Sequence, residues 1–108
     1  HFPSWWWWNM SWAQYHAGDY EGALKSLRRM RPLPNAARRM LAMVYVRLGE
    51  VEKAKAVIDE YRKHAPEYTL EDFRRMYEDH FTGSPHLQKE VDDLSTAGLP
   101  EPRSGVSY

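Results

Sequence analysis

One turn is written twice in this chain. "GDYEGAL" at residues 18–24 returns as "GEVEKAK" at residues 49–55, 31 residues later. The offset holds on both sides of the turn: Gly18 matches Gly49, Tyr20 matches Val51, Ala23 matches Ala54, Leu27 matches Ile58, and upstream Met10 matches Leu41. Self-similarity at such a period, built from two apolar-striped segments around a Gly-led turn, is the pattern of stacked helix pairs. One such pair cannot bury its own apolar face, so each unit needs the next. The repeat therefore constrains the fold to an all-α helical solenoid.

The remaining punctuation agrees. Leu24, Leu27 and Met30 recur at helical spacing, as do Leu41, Val44 and Leu48, and then Val51, Ala54, Val57, Ile58 and Tyr61. No stretch alternates with period two between turn signals, so no strand is expected. Pro32, Pro34 and Pro66 stop helices, because proline lacks an N–H and collides with the preceding turn. Thr69 with Asp72 reads as a capping box, opening a helix with Leu70, Phe73, Met76 and Tyr77 on its apolar side. After the "TGSP" break, Ser84 caps a last helix, Pro85 suits its first position, and Leu87, Val91 and Leu94 form its stripe. Gly98 terminates it.

The expectation is one domain over 1–98: a first helix pair over about 4–31, a second over about 35–65, and a divergent pair over about 69–98. That third pair caps the solenoid, since a terminal unit must offer water a compatible outer face. Residues 99–108, rich in Pro, Gly and Ser, read as an extended or disordered tail.

The turn "GDYEGAL" resembles the Gly-Asp-Tyr-x-x-Ala-Leu turn of the tetratricopeptide repeat, and "LGEVEKAK" is its second copy. The family places a small residue four before a large apolar one; Ala23 with Leu27 and Ala54 with Ile58 meet this. The second unit also has Leu41, Ala42 and Tyr45 at the family's spacing and ends on Pro66. The first unit keeps Trp7, but Met10, Ser11 and Gln14 stand where Leu, Gly and Tyr are usual. It is also about three residues shorter than the usual ~34-residue period. The resemblance covers residues 5–66 and implies repeat-packing roles for Gly18, Tyr20, Ala23, Leu27, Leu41, Tyr45, Gly49, Ala54, Ile58 and Pro66.

A second resemblance concerns the C-terminal third. "APEYTLEDFRRMY" and the later "AGLPE" look like the end of repeat segments attached to bacterial class III adenylate/guanylate cyclases and related signalling proteins. This implies an upstream catalytic or DNA-binding domain and no catalysis in these residues. The chain does not begin with Met and reads as a piece of something longer.

The run "WWWW" at residues 5–8, with Trp12 one turn later, cannot point into one core, because four successive helical residues spread around most of the circumference. Trp5, Trp8, Trp12 and Tyr15 share one face. In the turn-anchored register it is the concave one, where the resembled family binds peptides. Trp6, Met10, Ala13 and Ala17, on the opposite side, are expected to pack on the paired helix and the next repeat. The matching face of the second unit offers Arg39, Met43, Val46 and Arg47. Three exposed aromatics would make a patch as large as a typical monomer shows, so another surface should cover them. The first expectation is a second copy of the chain or upstream repeats, next a peptide groove, then the last helices. Arg39 and Arg47 read first as solvated charges and second as a clamp for a carboxylate-bearing segment.

Other chemistries are absent from the pattern. Lys+Arg and Asp+Glu are 15 each, so the net charge is zero and no dedicated nucleic-acid binder or partner for an anionic membrane is expected. With no cysteine there is no disulfide or thiolate chemistry, and a reducing cytoplasm fits. The histidines His1, His16, His64, His80 and His86 show no metal or catalytic spacing. Asp92 and Asp93 point about 100° apart on a helix. Arg28, Arg29 and Arg31 suit the end of a helix, whose dipole favours cations. The expected function is a non-catalytic protein–protein interaction or oligomerisation module with no cofactor. The alternative is a stand-alone adaptor that binds a peptide on its aromatic face.

Overall fold

The computed structural model describes residues 2–80 and 86–102. The protein is all-α. Six helices occupy the described residues: α1 (Ser4–His16), α2 (Tyr20–Arg28), α3 (Asn35–Arg47), α4 (Val51–His64), α5 (Leu70–His80) and α6 (Leu87–Thr96). They pack as sequential pairs, α1 on α2, α3 on α4 and α5 on α6, with α2 also against α3.

The repeated turn works by one device. Gly18 and Gly49 sit at φ +85° and +80°, a left-handed conformation that costs other residues energy. Each lets the chain reverse and satisfy the last carbonyls of the helix before it. Asp19 N–H donates to Gln14 C=O (2.8 Å) and Gly18 N–H to Tyr15 C=O (3.1 Å); Glu50 N–H donates to Tyr45 C=O (2.8 Å) and Gly49 N–H to Val46 C=O (3.1 Å). Asp19 then caps α2 through the Gly22 N–H at 3.0 Å.

Small residues line the crossings within each pair. Ala42 and Ala54 are fully buried on α3 and α4; Ser11 and Ala23 are their equivalents on α1 and α2 and are equally buried. Ser11 serves where a glycine is usual because its hydroxyl donates to the Trp8 carbonyl at 2.7 Å and leaves no polar atom orphaned. Gln14 and Ser26 are linked at 2.6 Å. Their equivalents in the second repeat, Tyr45 and Val57, are apolar packing residues. The departures of the first repeat thus come as a matched polar pair.

One packing expectation is corrected. Ala13 and Ala17 are exposed, and Trp6 stacks on Phe2 with ring centres 4.9 Å apart. The side of α1 turned to the core carries Trp7, Ser11 and Tyr15 instead. In α3 the positions equivalent to Trp6 and Ala13 are Ala37 and Val44, which are buried, and α2 packs on that helix. Among the described residues no helix takes that place beside α1.

In the C-terminal third, Asp72 reaches back to the Thr69 N–H at 2.8 Å, which is half of the expected capping box. Ser84 and Pro85, expected to open the last helix, lie outside the described residues. α6 does more than close the stack. It packs on α3 as well as α5. The segment expected to be a tail from Leu99 is held down at its start: Leu99 is buried, Pro100 C=O accepts from the Leu70 N–H at 2.9 Å, and Glu101 forms a two-pronged pair with Arg74, both bonds 2.9 Å.

Candidate interaction face

The inner face of the repeat is built by α1 and α3, and its two ends differ. At the end near the Gly18 turn, α6 covers it. Tyr15 and Met43 are fully buried. The Tyr15 hydroxyl donates to the Asp93 carboxylate, and Arg47 Nε donates to the same carboxylate at 2.9 Å. His16 Nε2 lies 3.0 Å from Glu90, and its ring stacks on His86 at 4.1 Å. Lys89 donates to the Tyr20 hydroxyl at 2.6 Å and lies over the rings of Tyr15 and Tyr20, at 4.5 and 4.8 Å. Two acidic side chains of α6, Glu90 and Asp93, are thus buried against the repeat.

Titration follows from this burial. Desolvation first, then the bond to Asp93, push the Tyr15 phenol far above its usual range. The bond to Asp93 holds the Arg47 guanidinium above its usual value. Burial, then the Lys89 ammonium, hold the His16 imidazole below its usual value. His16 therefore stands beside Glu90 as a neutral hydrogen-bond partner, although the distance alone would suit an ion pair.

Arg39, half-buried on α3, packs on the chain's own aromatics. Its guanidinium lies 5.7, 5.1 and 5.6 Å from the rings of Tyr61, Tyr68 and Phe73, and Nη1 donates to the Tyr68 hydroxyl. It is caged by the chain's own aromatics.

The other end is open. Trp8 and Trp12 are half-buried and meet edge to face at 5.6 Å, while Trp5 is 64% exposed; Phe2, packed on Trp6 and Trp7, is 54% exposed. Trp5 and Phe2 are the exposed large apolar side chains among the described residues.

Residues 14–71 match the family model described as tetratricopeptide repeat. The chain belongs to the tetratricopeptide repeat family. No curated protein and no solved structure matches it. A tetratricopeptide repeat module generally mediates protein–protein interaction. The tryptophan run precedes the matched stretch and α6 follows it, while Tyr15, Met43 and Arg47 of the covered end lie within it. The match gives no support to the resemblance to cyclase-attached segments.

For this tetratricopeptide repeat, sequence reasoning brought Trp5, Trp8, Trp12, Tyr15, Arg39, Met43 and Arg47 to one side. It missed what α6 presents to them. The signal was there: Glu90, Asp93 and Ala97 interleave with Leu87, Val91 and Leu94 at helical spacing, so two acids sit on the apolar side of that helix. Among the described residues no group of three His, Asp or Glu converges to hold a metal, and no helix is long and apolar enough to cross a membrane.

A pH prediction arises from His16. Its pKa is lower folded than unfolded, so the unfolded chain binds more protons as pH drops below the ordinary histidine value of about 6.5. The stabilisation is complete above that pH and is lost as pH falls toward the depressed folded value. Thermal melts of wild type and His16→Gln at pH 7.5 and 5.5 test it: the wild-type Tm should fall more. Equal falls would remove His16 as the cause.

Proposed function

We propose that this module associates with a second copy of itself through the open end of its inner face, where Trp5 meets solvent and Trp8 is half-buried, with the exposed Phe2 nearby against Trp6 and Trp7. The observation that carries the reading is the exposure of Trp5 on a face whose other half is already filled by α6. A peptide running the length of the groove would have to displace α6. A flat aromatic contact at the open end would not. Each aromatic removes roughly 150–250 Å² from water when buried, which gives such a contact its driving force. The parent cyclase implied by the C-terminal resemblance has no support in the comparisons, and the proposal needs no catalytic parent.

Light scattering over a concentration series is the test. Wild type should rise toward a dimer mass with concentration, as mass action requires. Phe2→Ser with Trp5→Ser should remain a monomer with unchanged helicity. A wild-type monomer at the highest concentration would overturn the reading, and the adaptor alternative would then be tested by tryptophan fluorescence against candidate peptides.

A further inference from the structure

The chain is electrically neutral overall, but its charges are not evenly mixed. On α4, Lys53, Lys55 and Lys63 each pair with a glutamate one turn away, at 3.6, 3.6 and 3.3 Å. On α5, Arg75 pairs with Glu71 at 3.9 Å. The end of α2 and the turn after it do the opposite. Lys25 and Arg28 lie on the helix, Arg29 is its C-cap and Arg31 follows; all four are exposed. Among the described residues none of the four is paired with a carboxylate, and Glu21, one turn before Lys25, is not within ion-pair reach. The four side chains line one cleft of about 530 Å³.

Like charges at i and i+3, as Lys25 and Arg28 are, repel one another on a helix. The helix dipole answers only part of that, since a C-terminus carries about half a negative charge. The end of α2 therefore holds an uncompensated positive surface. It borders the tryptophan run, because the Arg29 guanidinium lies 5.4 Å from the Trp7 ring.

We propose that this basic cleft at the C-terminal end of α2 is a docking site for an acidic polypeptide segment. Charge complementarity selects the partner. Three of the four cations are arginines, whose planar forks match carboxylates two bonds at a time. A nucleic-acid surface fits less well. Four cations neutralise only a few phosphates, against the six to ten contacts of a firm complex, and the chain has no net positive charge to draw a polyanion in. The site borders the aromatic contact proposed between copies at Trp7 but shares no residue with Trp5 or Phe2, and the two are told apart by their variants: Phe2→Ser with Trp5→Ser leaves the four cations in place.

The probe is a fluorescein-labelled oligoglutamate peptide, followed by anisotropy at an ionic strength of about 0.05 M, where charges a few ångströms apart are weakly screened. Wild type should bind it. The fourfold variant Lys25→Gln, Arg28→Gln, Arg29→Gln, Arg31→Gln should bind about tenfold or more weakly, with circular dichroism unchanged. A second fourfold variant, Lys53→Gln, Lys55→Gln, Lys63→Gln, Arg75→Gln, removes the same charge from paired positions and should stay within about twofold of wild type. If the α2 variant unfolds, Arg28→Gln with Arg31→Gln carries the same test, with a loss of about threefold. Equal losses in the two fourfold variants would reduce the effect to net charge and overturn the site. So would no binding by wild type, or tighter binding of an oligouridylate of equal charge.

Discussion

Replacing Ala54 by tryptophan is expected to cost about 3 kcal/mol or more, at the upper end of what overpacking does. Ala54 is fully buried where α4 meets α3, and Ala42 on the facing helix is equally buried. The two helices lie close because both side chains are small. An indole in that gap has no volume to enter, so the pair must part, and Ile58 and Met40 lose their packing with it. A domain of this size has roughly 5–15 kcal/mol in all, so the urea midpoint should fall far or the fold should be lost. Ala56→Trp is the control. Ala56 is exposed on the same helix, and surface changes of this kind usually stay within about 0.5 kcal/mol. A similar midpoint for Ala54→Trp and wild type would show that the repeat register is wrong.

The second large effect is expected at the seat of α6. Asp93 is buried, and its carboxylate is held by the Tyr15 hydroxyl and by Arg47 at 2.9 Å. Arg47→Met leaves that anion with one partner in a dry place. Breaking a buried pair from one side typically costs 3–5 kcal/mol. The Arg47 side chain is 34% exposed, so water takes over part of its role, and about 2–3 kcal/mol is the expected loss by urea unfolding. Removing the whole cluster should cost less than removing this one member. Arg47→Met, Asp93→Leu and Tyr15→Phe together leave no orphaned polar group, and replacement of a buried pair by apolar residues is often neutral. A triple variant less stable than Arg47→Met alone would mean the carboxylate is needed for more than pairing.

These experiments divide along the line between local and long-range information. The helix pairs were readable because their causes are local. A glycine at positive φ, an acid capping the next helix and a small residue four before a large one all act within a few residues, and the 31-residue offset printed them twice. The departures at Ser11 and Gln14 were visible too, but not their resolution. The Ser11 hydroxyl finds its own turn, and Gln14 finds Ser26 on another helix.

What covers the inner face was not readable. Trp5, Trp8, Trp12 and Tyr15 share a face by helical geometry alone, and that followed from their spacing. Which of them meet water depends on where α6 lies, and that depends on contacts 46 to 78 residues apart in the chain, Arg47 with Asp93 and Tyr15 with Asp93. A helical period ranks residues around one axis and carries no information about which other helix comes to that axis. By itself the sequence determined an all-α repeat, its turns, its register and an aromatic stripe. Only the tertiary structure decided that half of the stripe is closed by two buried acids of α6 and half is open at Trp5. Burying a carboxylate is favourable only where donors converge on it, and convergence is a property of the assembled fold.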